Sequence, residues 1–267
     1  MLGNEAGKSA PKLVFLHLPR TGGTTLHHYL AAHFAQDEIC PRRFSRLDQY
    51  SPDQLEKWRF FSGHFNADDI RRIPGPVLVV TILRNPIERL LSNHYFWKRH
   101  RPEVIEKHSL EGPKVIKDGT LSDFLRSNTG HVLDTTNNMM ARKLAGQVYA
   151  WPDGSWRARV GDKGFEVTDL QIVRRALGNL LSFDIYDDIS SLEDIYARIA
   201  EVYGMPPLNS IARLNARDLI DDKLEPVQEE TITPEIKEML ERRTRLDNIV
   251  YQLALDHAWR TGRRPKE

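Results

Sequence analysis

Residues 77–83 read Val-Leu-Val-Val-Thr-Ile-Leu, between Pro74-Gly75-Pro76 and Arg84-Asn85-Pro86. A run that stays apolar at successive positions, rather than at alternate ones, predicts a strand buried on both faces. That is the condition of a central strand in a parallel sheet covered by helices. A helix start follows it at once. Asn85 suits the N-cap, Pro86 the first helical position and Glu88 the third, and the helix is predicted to run to about residue 99. A second stretch has the same build. The apolar run 12–18 breaks at Pro19 and passes through Thr21-Gly22-Gly23-Thr24-Thr25 into Leu26, Leu30 and Phe34, which are spaced as on a helix. Strands that alternate with helices predict an α/β fold with a central, mostly parallel sheet flanked by helices.

The remaining signals fill in that frame. Ser51-Pro52-Asp53-Gln54 predicts a short helix, 59–62 a strand, and Asn66 the cap of another short helix. Residues 100–120 are polar and read as a surface excursion. Thr120 and Thr135 each predict a helix, the second ending at Gly146. Residues 147–167 read as irregular, with Trp151 and Trp156 among turn residues. Thr168 with Gln171 caps a helix to 180, 183–186 is a strand, and Ser190 with Glu193 caps a helix that ends at Gly204. Residues 206–230 read as loop. Thr233-Pro234 starts one long helix with Ile236, Leu240, Leu246, Ile249, Val250 and Leu253 on one face. The expected organisation is a disordered tail at 1–11 and one domain over 12–262.

Composition removes several functions. Lys and Arg total 38 against 37 Asp and Glu. There is thus no bulk field to draw nucleic acid, which is not expected as a partner. Cys40 is the one cysteine, which excludes an internal disulfide and a Cys-based zinc site; no metal is expected. No stretch reads as a signal peptide or an integral membrane segment, so the chain is expected to be soluble and cytoplasmic.

Three groups of residues carry chemistry. Arg20, Thr21, Gly22, Gly23, Thr24 and Thr25 form a strand–glycine turn–helix junction, which aims backbone N–H groups and a helix N-terminus at an anion. It is not a Walker A loop, because it has no lysine and its glycines are adjacent. Arg84 ends the best strand, where α/β sheets collect ligands, and its planar fork suits a phosphate; Ser92 follows eight residues later. His64, after Gly63 at the end of another strand, is a candidate general base. Each has a plainer alternative: an ordinary turn, an Arg84–Glu88 ion pair, a structural histidine. His17, inside the first strand, reads as packed core.

Taken together, these segments resemble a known family. The run from His17 to Thr24 is similar to the nucleotide-phosphosulfate loop of the second sulfotransferase family, which includes heparan sulfate 2-O-sulfotransferases. The run from Leu83 to Ser92 resembles that family's 3′-phosphate motif, and Gly63-His64-Phe65 its segment with the catalytic histidine. Asn138 to Gly146 and Asp184 to Ile189 fit weaker downstream patterns. The resemblance implies a P-loop-like sulfotransferase fold and the donor 3′-phosphoadenosine 5′-phosphosulfate. It implies that the backbone of Thr21 to Thr25, with the Thr24 and Thr25 hydroxyls, holds the 5′-phosphate. Arg84 and Ser92 would hold the 3′-phosphate, and His64 would take the proton of an acceptor hydroxyl, expected on a saccharide. Arg20 stands where the family usually has Lys, so its expected role is electrostatic only. The alternatives are a non-catalytic nucleotide-binding protein of the same fold and a nucleotide-dependent kinase.

Overall fold

The computed structural model describes residues 10–41, 47–160, 163–208, 210–211 and 223–262. Residues 1–9, where a disordered tail is expected, lie outside the described residues, as does part of the expected 206–230 loop. In chain order the strands are β1 (Lys12–Leu16), β2 (Phe60–Gly63), β3 (Val77–Leu83), β4 (Val148–Ala150), β5 (Trp156–Val160), β6 (Lys163–Val167) and β7 (Ile185–Asp188). The chain divides into two compact units. The first takes Met1–Arg84, Leu177–Asn215 and Leu253–Glu267; the second takes Asn85–Ala176 and Ala216–Gln252.

The first unit is built on a four-stranded sheet in the order β2-β1-β3-β7. All three pairings are parallel: Leu16 faces Gly63 on one side and Thr81 on the other, and Thr81 in turn faces Tyr186. This is the α/β arrangement expected, and β3 spans the predicted residues, six of its seven buried. The chain leaves β1 for β2 on one side and later fills β3 and β7 on the other. The order therefore reverses between β1 and β3, where sheets of this kind open a crevice at their carboxyl ends. One core cluster joins Leu13 and Phe15 of β1, Val80 and Ile82 of β3, Leu26 and Leu30 of the helix Gly23–Ala31, and Ile195, Tyr196 and Ile199 of the helix Leu192–Tyr203. Each such leucine or phenylalanine contributes about 1.5–3 kcal/mol by leaving water. Below the sheet ends, the Thr81 hydroxyl donates to the Leu16 carbonyl at 2.8 Å and pins β3 to β1.

The second unit is mainly helical, and several expectations change here. The helix Pro86–Lys98 starts where predicted, with Pro86 at its first position and Asn85 accepting from the N–H groups of Ile87 and Glu88. Residues 100–120 are not a mere excursion. They hold the helices Pro102–Lys107 and Glu111–Ile116, and Ile116 is buried in a cluster with Leu90, Trp97 and Phe124. Thr120 caps Leu121–Arg126 as predicted, but Thr135 lies within the helix Gly130–Thr136. The next helix, Met139–Ala145, follows Asn138 in a left-handed conformation and ends at Gly146 with φ 109°.

Residues 147–167 are not irregular either. They form an antiparallel sheet, β4-β5-β6, because Trp156 and Ala158 alternate as buried positions against outward Arg157 and Arg159. The long C-terminal helix is two helices, Pro234–Arg243 and Arg245–Arg260. Its supposed single face fails at Ile249 and Leu253, which are exposed. In the first unit the strand expected at 183–186 is shifted to Ile185–Asp188, and Ser191, not Ser190, precedes the helix Leu192–Tyr203. Among the described residues no helix is long and apolar enough to cross a membrane.

Candidate active site

The parallel register sets the site. β1 and β2 end together, so the His17 N–H reaches the Gly63 carbonyl at 2.9 Å, and His64 emerges beside the turn that follows β1. Its Nδ1 lies 2.8 Å from the His17 carbonyl oxygen. A carbonyl only accepts, so Nδ1 carries the proton and Nε2 is the basic nitrogen. The two imidazoles also sit against each other, 4.6 Å between centroids.

The turn itself is shaped by close packing. Thr21 is buried, and its hydroxyl donates to the Leu18 carbonyl at 2.8 Å, closing the strand into the turn. Gly22 has φ 81°, ψ 4° and precedes the helix Gly23–Ala31 as its N-cap. A Cβ there would lie 2.9 Å from Cδ1 at the end of the Ile189 side chain, but it is the left-handed conformation that demands glycine. A Cβ on Gly23 would lie 2.1 Å from Cδ2 of His17. The His17 ring, stacked on Phe15, is therefore the floor on which the helix N-terminus rests. The Gly22 carbonyl takes the N–H groups of Thr25 and Leu26, and the N–H groups ahead of them face the end of the helix, where an intrahelical partner does not exist. Thr24 is half-buried and Thr25 buried.

Two arginines complete this end of the first unit. Arg20 adopts φ 69°, a left-handed conformation uncommon for a residue with a side chain. Arg84, the residue after β3, donates from Nη1 to the Arg20 carbonyl at 3.1 Å. The guanidinium of Arg84 is thus fixed to the turn's own backbone. The first unit in this way brings Arg20, Thr21 to Thr25, His64 and Arg84 to the carboxyl ends of β1, β2 and β3. Ser92 belongs to the second unit, as a buried residue of the helix Pro86–Lys98.

His17 is packed as expected, yet it does more than fill the core. Its carbonyl sets the His64 tautomer and its ring supports Gly23. Ile189 and Thr81 are the other contributors that sequence reasoning missed; only the second glycine hinted that something lies close behind the turn. Among the described residues, no group of three or more His, Cys, Asp or Glu side chains could hold a metal ion. The site offers instead backbone N–H groups, hydroxyls and guanidinium, which are donors for phosphate and sulfate oxygens.

No protein-family model matches the chain. Over 86 residues it is 37% identical to a protein-tyrosine sulfotransferase of Arabidopsis thaliana; the match covers 32% of this chain and 17% of the relative. The match thus spans less than a fifth of the length of that protein. The likeness supports a sulfotransferase relationship in general, and it does not single out the heparan sulfate 2-O subtype.

Proposed function

We propose that this protein is a sulfotransferase that moves a sulfuryl group from 3′-phosphoadenosine 5′-phosphosulfate to an acceptor hydroxyl. One observation carries the reading: a histidine with its tautomer fixed by a backbone carbonyl stands at the strand end next to a glycine turn that opens a helix. The similarity to a sulfotransferase supports the same choice of chemistry. The donor supplies the activated sulfuryl group. The backbone of Thr21 to Thr25, with the Thr24 and Thr25 hydroxyls, holds the 5′-phosphate, and Arg84 holds the 3′-phosphate. His64 Nε2 takes the acceptor proton as the acceptor oxygen bonds to sulfur and the sulfur–phosphate oxygen bond breaks. The leaving oxygen's charge is met by Arg20 and by the N–H groups at the helix start. Arg20 stays protonated throughout, so it contributes charge and no proton.

The acceptor's hydroxyl has two sources to compare. The motif resemblance implies a saccharide, and the Arabidopsis relative is named for protein tyrosine. Thermal-shift measurements test the donor first. Stabilisation by 3′-phosphoadenosine 5′-phosphate but not by ATP with Mg²⁺ is expected, and the reverse result overturns the proposal. Sulfate transfer is then followed on a tyrosine peptide and on oligosaccharides. His64→Ala is expected to lower transfer by about 10²–10⁴-fold with nucleotide binding retained. Undiminished transfer in that variant removes His64 as the base. Binding without transfer to any acceptor favours a non-catalytic nucleotide-binding protein.

A further inference from the structure

The second unit has a cavity of about 530 Å³ on the β4-β5-β6 sheet, lined by Tyr149, Trp151, Arg157, Arg159 and Gly164 among others. None of these residues belongs to the transfer site proposed above. Register explains how they meet. Tyr149 pairs with Arg157 and Arg159 with Gly164, so Tyr149, Arg157 and Arg159 share the outer face of the sheet. Gly164 puts no side chain opposite Arg159, and a Cβ there would meet only the Ala158 carbonyl, at 3.9 Å. The gap it leaves widens the groove.

The two tryptophans of this segment have separated roles. Trp156 is buried, and its indole N–H donates to Asp169 at 2.7 Å, which anchors the sheet. Trp151 is 42% exposed and Tyr149 44%, so two large aromatic surfaces border one cavity. The Arg157 guanidinium lies 3.9 Å over the Trp151 ring. Such stacking uses the guanidinium's face and leaves its edge of N–H donors directed sideways. Its contact with Asp153 is 3.7 Å, longer than a hydrogen bond.

We propose that this cavity binds an anionic aromatic ligand: a flat ring carrying a sulfate or carboxylate. The ring lies against Trp151 and Tyr149, and the anion meets the Arg157 and Arg159 guanidinium groups. The charged residues in the wall are both arginine. Glu166 pairs with Arg157 across the sheet but is not part of the wall. A saccharide is disfavoured, because the wall has no side-chain amide or carboxylate to satisfy a ring of hydroxyls. A free small molecule and a modified side chain in a peptide present this same chemistry.

Calorimetric titration of the full chain tests this. Phenyl sulfate is expected to bind at least about tenfold more tightly than phenol, inorganic sulfate or glucuronate. Trp151→Ala and Arg157→Gln are each expected to weaken phenyl sulfate about tenfold or more without changing Tm, and His64→Ala to leave it unchanged. A sulfotyrosine peptide that binds more tightly than phenyl sulfate assigns the ring to a peptide; equal or weaker binding assigns it to a free molecule. The proposal is overturned if inorganic sulfate or glucuronate binds as well as phenyl sulfate, or if Arg157→Gln, which keeps the stacked aromatic surface, leaves affinity intact.

Discussion

Arg20 holds its charge at a cost in backbone conformation. A side-chain-bearing residue at φ 69° sits roughly 1–2 kcal/mol above its preferred regions. Arg20→Gly is therefore expected to raise stability in urea by roughly 1 kcal/mol, tempered by the freer unfolded chain, and to abolish transfer. Arg20→Lys keeps the charge and is expected to retain transfer; a large fall would contradict a purely electrostatic role. Gly23 is constrained from the other side. The His17 ring behind it packs against Phe15 and His64, which oppose its retreat. Gly23→Ala is expected to cost about 1–3 kcal/mol of stability and to abolish the thermal shift given by 3′-phosphoadenosine 5′-phosphate. Retention of that shift at wild-type size would show that the turn does not carry the phosphate.

At the scale of elements, the break between the last two helices is made by a residue a hundred positions earlier. The Asn138 N–H takes the Arg243 carbonyl at 2.8 Å, and Asn138 Oδ1 accepts from the Leu246 N–H at 2.6 Å, as an N-cap borrowed from another helix. Asn138→Ala is expected to lower stability by about 1–2 kcal/mol in urea unfolding, since the cap is lost and alanine tolerates the left-handed position less well than asparagine. Such a device is invisible to local reading, which is why 234–260 reads as one helix.

What was legible was local. Ser51, Asn66, Thr120 and Thr233 cap the helices that their patterns predict, and Asn85 does so at the most informative junction. β3 was readable in full because burial on both faces leaves no polar alternation. The β4-β5-β6 sheet was not, since the turn residues around Trp151 to Ser155 outweigh the short alternation in β5. The glycine turn, Arg84 and His64 stand out in the sequence by type and position, and the fold brings them to neighbouring strand ends. The support of Gly23 by His17 and the link from Arg84 to the Arg20 carbonyl depend on the sheet register, which no single segment encodes.

For the molecule as a whole, acid is expected to be destabilising through His94. Burial lowers its pKa from 6.5 to about 4, against the opposing pull of Glu230, whose carboxylate lies 3.3 Å from Nε2. The folded chain keeps this imidazole neutral while the unfolded chain protonates it. The associated stability is complete above pH 6.5 and is lost as pH falls from there toward 4, by up to about 3 kcal/mol. Urea unfolding of wild type and His94→Gln at several pH values across that window checks this: the variant's stability should change less steeply with pH. Parallel curves would mean that other groups set the acid limit.

The central sheet has a consequence for how the chain is made. β7 pairs with β3, yet about a hundred residues lie between Leu83 and Ile185. Closing so long an interval costs about 4 kcal/mol of chain entropy before the pairing returns anything. On the ribosome, β1, β2 and β3 emerge early and must wait, with the β7 side of β3 unpaired, while the whole helical insertion is synthesised. A nascent chain arrested before residue 185 would expose that apolar edge to chaperones or to other copies, and one released after it would not.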